Sequence, residues 1–118
     1  MESIVIGIDV AKQQLDVATP KGVLQAPNTP EGHRHLMKQL ANWSIDSIIV
    51  EATGGYERAV VAEMAAANLP IIVVNPRQVR DFARATGQLA KTDSIDAQML
   101  AQFGQVVRPE QRPLPSKK

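Results

Sequence analysis

Apolar positions along this chain change period several times, and each change marks an element boundary. "SIVIGIDVA" (3–11) is an unbroken apolar, largely β-branched run, the pattern of a strand covered on both faces. Along it Ile4, Ile6 and Ile8 point one way, and Val5, Gly7 and Asp9 the other. "QLDVATP" (14–20) and "GVLQAPN" (22–28) follow at once, and Pro20 and Gly22 supply a tight turn between them. These three segments read as an antiparallel meander. Thr29 then offers an N-cap with Pro30 at the first helical position, and Leu36, Leu40 and Trp43 recur at helical steps through 31–43.

The second half alternates. "DSIIVEA" (46–52) is a short buried strand, and "YERAVVAEMAAANL" (56–69) is an alanine-rich helix stopped by Asn68 and Pro70. "PIIVVN" (70–75) is another buried strand, closed by Asn75 and Pro76. Residues 77–86 form a basic helix, 86–92 a loop and 93–104 a last helix. From 107 to 118 the helical period is gone and prolines recur, so 1–106 reads as one domain and 107–118 as a basic tail leading to further regions.

The predicted order is β-β-β-α-β-α-β-α-α. A meander followed by αβαβ, with right-handed crossovers, gives an α/β fold with a mixed five-stranded sheet in the order 3-2-1-4-5 and helices on its faces. That is the RNase H-like layout. A flavodoxin-like sheet would need helices where 14–28 shows two strands.

Against this frame four acids stand out. Asp9 interrupts the first strand, and Glu51 ends the fourth. If those strands are parallel neighbours, both acids lie in the crevice at the strand carboxyl ends, where α/β sheets hold ligands. In "AKTDSIDAQML" (90–100), Asp93 and Asp96 are three apart on the helix side that also carries Leu100 and Phe103. Clustered carboxylates repel and raise one another's pKa unless a cation joins them. An all-oxygen donor set suits Mg²⁺, or Mn²⁺, rather than zinc. Each acid also has a plain alternative: Asp9 as a strand-end cap or turn residue, Glu51 as the cap of the following turn, Asp93 as a helix N-cap and Asp96 as a first-turn acid favoured by the helix dipole.

Other groups carry less. His33 and His35 are expected on the surface, and Asp16 is expected to be an edge acid. "TGGY" (53–56) could aim backbone amides at a phosphate, but two glycines more often make a turn.

Composition adds limits. Without cysteine there are no disulfides and no thiolate metal sites. No apolar run approaches the roughly 20 residues of a membrane span, and "MESIVIGIDV" lacks a signal peptide's basic start, so a cytoplasmic protein is expected. Net charge is only +1, yet residues 77–91 gather Arg77, Arg80, Arg84 and Lys91 against Asp81 alone. Beside a carboxylate cluster, such a run becomes a candidate track for phosphates.

"IGIDVAK", "VEATGGYE", "VVNPRQVRDFARATG" and "AKTDSIDA" occur in this order from about residue 3 to 115. With these motifs the chain resembles the N-terminal, RuvC-like domain of the DEDD transposases of bacterial insertion sequences. That family includes bridge-RNA-guided recombinases and is related to pilin-gene invertases. The resemblance implies a D-E-D-D quartet of Asp9, Glu51, Asp93 and Asp96 that binds Mg²⁺, and DNA cleavage and rejoining. It also implies a structured guide RNA, a homo-oligomer in the longer protein and a bacterial cytoplasmic setting. Lys12, Arg77, Arg80, Arg84, Lys91 and Thr92 match its nucleic-acid-facing positions. Family members carry a second domain with a nucleophilic serine, for which Ser116 in the tail is no candidate. A stand-alone nuclease or junction resolvase of the same fold, or a non-catalytic nucleic-acid-binding and dimerisation module, are the competing readings.

Overall fold

The structure is a computed structural model, and it describes residues 4–87 and 95–109. Its elements are β1 (Ile4–Val10), β2 (Gln14–Thr19), β3 (Gly22–Pro27), α1 (Pro30–Leu40), β4 (Ile45–Glu51), α2 (Arg58–Ala66), β5 (Ile71–Val74), α3 (Pro76–Ala85) and α4 (Ala97–Val107). The five strands form one sheet in the order β3-β2-β1-β4-β5, as the pattern predicts. β1–β2 and β2–β3 are antiparallel, while β1–β4 and β4–β5 are parallel.

Both faces of the sheet are covered, which is why the central strands read as continuous apolar runs. On one face Ile6, Ile8, Val10, Ile48 and Val50 pack with Leu36 and Leu40 of α1 and Val60, Val61 and Met64 of α2. On the other, Ile49, Ile72 and Val74 meet Val79 of α3 and Leu100 and Phe103 of α4, with Ile95 just before that helix. Phe82 and Phe103 close the α3–α4 seam edge to face, their centroids 5.6 Å apart.

Helix starts follow the expected chemistry. Thr29 Oγ1 accepts from the Gly32 amide at 3.0 Å with Pro30 opening α1, and the Asn75 side chain accepts from the Arg77 amide at 2.8 Å with Pro76 opening α3. Helix α1 stops at Leu40, short of Trp43. The Asn42 amide and side chain both bond back to the Gln39 carbonyl, turning the chain out of the helix.

The largest difference from expectation is α4. It begins at Ala97 rather than 93, because Asp96 is its N-cap: Oδ1 accepts from the Met99 amide at 2.9 Å. The helical face that Asp93 and Asp96 were expected to share therefore does not form through Asp96, which precedes the helix. At its far end α4 runs on to Val107, and Arg108 closes it in the left-handed region at φ 53°. Among the described residues no helix is long and apolar enough to cross a membrane.

Candidate metal centre at the strand ends

Alternation decides which side chains meet. Val5 and Ile49 pack on the α3–α4 face, so Gly7, Asp9 and Glu51, at even steps along the same strands, lie on that face too. The parallel register pairs Ile8 with Val50, which sets Asp9 and Glu51 side by side at the carboxyl ends of β1 and β4. Gly7 lets α4 close over them. A Cβ there would stand 2.1 Å from the Ala97 carbonyl oxygen and 2.6 Å from the Ala101 nitrogen. The first turn of α4 thus rests on the β1 backbone, and Asp96 sits at the acid end.

The charges of these groups act on one another. Burial pushes the Asp9 carboxyl above its ordinary value, and the charges of Asp16 and Asp96 push it further. Burial likewise raises Glu51, as does Asp9, while Arg80 pulls the other way. Asp16 is the acid that sequence reasoning discounted. It lies directly opposite Asp9 in the β1–β2 ladder, so both project from one face. Its Oδ1 accepts from Gln14 Nε2 at 3.0 Å.

One atom distinguishes the cluster from an ordinary polar edge. Glu51 Oε2 is buried and, among the described residues, has no hydrogen-bond partner. A buried carboxylate oxygen without a donor is costly and calls for a cation. The donor set, carboxylates only, fits Mg²⁺ or Mn²⁺. Among the described residues no three acid or histidine side chains already converge tightly enough to hold an ion. Asp96 spends one oxygen on its helix cap, and Asp93 lies outside the described residues.

The basic residues divide. Arg77, Arg80 and Arg84 are exposed on α3, at helical steps along one side. Arg80 reaches the field of Glu51, and Arg84 pairs with Asp81 at 3.3 Å on the surface. Lys12 is exposed in the loop that leaves β1. Lys91 and Thr92 lie outside the described residues.

Two of the four "TGGY" amides are already occupied. Glu57 Oε1 accepts from the Thr53 amide and the Gly55 amide, each at 3.1 Å, and from the Thr53 hydroxyl at 2.7 Å. Burial alone would raise the Glu57 carboxyl, but those hydrogen bonds outweigh it and hold it below its ordinary value. The segment is a self-capped turn rather than an anion cradle.

His33 corrects a second expectation, since it is fully buried. The signal was available: His33, Leu36 and Leu40 fall on one helical stripe.

With this geometry in place, comparison with known proteins finds a match to the DEDD transposase family of the IS110 type, described as transposase, over residues 6–118. The chain belongs to this transposase family. The pilin gene-inverting proteins of Moraxella lacunata and Moraxella bovis are each 26% identical over 118 aligned residues, an overlap covering 88% of this chain and 35% of the relative. The chain spans about a third of the length of these curated relatives.

Proposed function

We propose that this domain is the metal-binding catalytic part of an insertion-sequence transposase. Asp9, Glu51, Asp93 and Asp96 form the cation site of this reading, with Mg²⁺ as the physiological ion and Mn²⁺ as a substitute. The observation that carries it is the buried Glu51 oxygen, unpartnered among the described residues, next to Asp9 at the ends of two parallel strands. A fold-only role gives no reason to bury a carboxylate there without a donor.

Bound at this site, such ions would activate an attacking oxygen and stabilise a leaving one at a DNA phosphodiester. The protein's own residues do the rest. Asp9 and Glu51 hold the cation from rigid strand ends, and Asp96 adds charge from the N-cap of a helix seated against β1. Arg80 balances the negative cluster, and the Arg77–Arg80–Arg84 side of α3 extends from it as a track for backbone phosphates. Lys12, Lys91 and Thr92 belong to the same nucleic-acid face in this reading. Within the longer protein, the family resemblance adds a structured guide RNA and a homo-oligomeric assembly.

The test is recombination of a marked element in bacteria by the complete transposase that carries this domain. Glu51→Gln and Asp9→Asn should each lower recombination by at least about 100-fold while the protein accumulates normally. Wild-type recombination by either variant refutes the reading.

A further inference from the structure

The ends of β1 and β4 are tied together from behind by a polar chain, buried at His33 and half-buried at Asn28 and Glu63, that the metal reading does not use. His33 of α1 is fully buried. Its Nδ1 lies 2.5 Å from Glu63 Oε2 on α2, and its Nε2 lies 2.6 Å from Asn28 Oδ1. Asn28 Nδ2 donates to the Ala11 carbonyl at 2.9 Å and to the Tyr56 carbonyl at 3.1 Å. The reverse amide orientation would set the Asn28 oxygen against two carbonyls, so the direction of the chain is fixed. Ala11 follows Asp9 by two residues, and Tyr56 lies in the loop that leaves Glu51. The Asn28 backbone amide adds a bond to the Gln13 carbonyl at 2.9 Å.

One side chain thus spans the two loops that leave the acid-bearing strands, and the half-buried His33–Glu63 pair locks its orientation. An apolar pair could bridge α1 and α2 as stably, since ionisable pairs, buried or exposed, seldom add much net stability. Only a polar chain can reach through to two loop carbonyls. We propose that Asn28, oriented by His33 and Glu63, is a positioning residue that fixes the gap between Asp9 and Glu51 for the cation. The inference rests on the metal reading above.

Variants of Asn28 separate positioning from simple satisfaction of His33. Asn28→Ala removes every bond of the side chain. Asn28→Asp keeps an acceptor for His33 but cannot donate to Ala11 and Tyr56. Its extra negative charge would by itself favour a cation. Glu63→Gln keeps an acceptor for His33 and leaves Asn28 in place. The measurement is Mn²⁺ affinity by electron paramagnetic resonance on this chain, with circular dichroism as the folding control. Amide hydrogen exchange at Ala11 and Arg58 reports the two loops directly.

Both Asn28 variants should weaken Mn²⁺ about ten-fold, the scale of outer-shell changes at metal sites, and speed exchange at the two loops. Glu63→Gln should stay within about two-fold of wild type. Full rescue by Asn28→Asp, or wild-type affinity in Asn28→Ala, overturns the positioning role while leaving the metal site standing. Absence of Asp9-dependent Mn²⁺ binding in the wild type overturns the metal reading, and this role with it.

Discussion

Replacing Gly7 by alanine tests how the acid cluster is assembled. The new Cβ would lie 2.1 Å from the Ala97 carbonyl oxygen and 2.6 Å from the Ala101 nitrogen, more than an ångström short of ordinary contact in the first case. Both obstacles are backbone, so no rotamer change relieves them. Helix α4 would have to lift from β1 and loosen the packing of Leu100 and Phe103. Ordinary overpacking costs about 1–3 kcal/mol. Full burial of such side chains contributes roughly 1.5–3 kcal/mol each. Losing part of that for both brings the expected cost to about 3–5 kcal/mol, a large share of a typical domain's stability.

Gly104→Ala is the control. There the Cβ meets Ile49 Cγ1 at 2.6 Å and Val5 Cγ1 at 2.8 Å, side-chain atoms that can shift. Alanine's helix propensity offsets about 1 kcal/mol of the crowding, leaving a net cost of about 0–2 kcal/mol. Urea unfolding followed by circular dichroism measures both. A Gly7→Ala midpoint equal to wild type, or a larger loss in Gly104→Ala, would refute the close seating of α4 on β1.

Three further expectations concern charge. Asp9→Asn should stabilise the metal-free chain at neutral pH by up to about 1 kcal/mol, since it removes a charge directly opposite Asp16. The raised Asp9 carboxyl means that the native state holds its proton more tightly than the unfolded chain. The advantage should therefore vanish below about pH 4 and grow as pH rises through the shifted value, as thermal melts across that range would show. Glu57→Gln should cost about 1–2 kcal/mol at neutral pH, because a charged acceptor of three hydrogen bonds is lost. Its lowered carboxyl gives a contribution present above about pH 4 that fades as pH falls, so wild type and variant melts should converge in acid. Arg80→Gln should weaken DNA binding about equally across sequences and reduce the slope of log K against log salt by about 1, measured by fluorescence anisotropy.

Much of the frame was legible because strand burial leaves a plain mark. Apolar runs at 3–11, 46–52 and 70–75 predict central strands, and the Pro20–Gly22 turn predicts the meander beside them. Asp9 and Glu51 could be paired from that order alone, since strand parity and parallel neighbours fix their face and their end. What was missed depends on register or on competing roles for one residue. An aspartate before an apolar helix can cap it or lie in its first turn, and at Asp96 the cap wins through the Met99 amide. Asp16 faces Asp9 only by virtue of the β1–β2 register, which the loop at 11–13 sets and periodicity does not. His33 was given a surface by its residue type, whereas its position on the Leu36–Leu40 stripe pointed inward.

The central claim is that Asp9 and Glu51 come together to hold a divalent cation. Calorimetric titration of the metal-free chain with Mg²⁺ and Mn²⁺ tests it most directly, with Glu51→Gln and Asp9→Asn alongside. Saturable binding by the wild type, weakened at least about ten-fold in each variant, is the predicted result. Equal binding by all three chains, or none by the wild type, would contradict it.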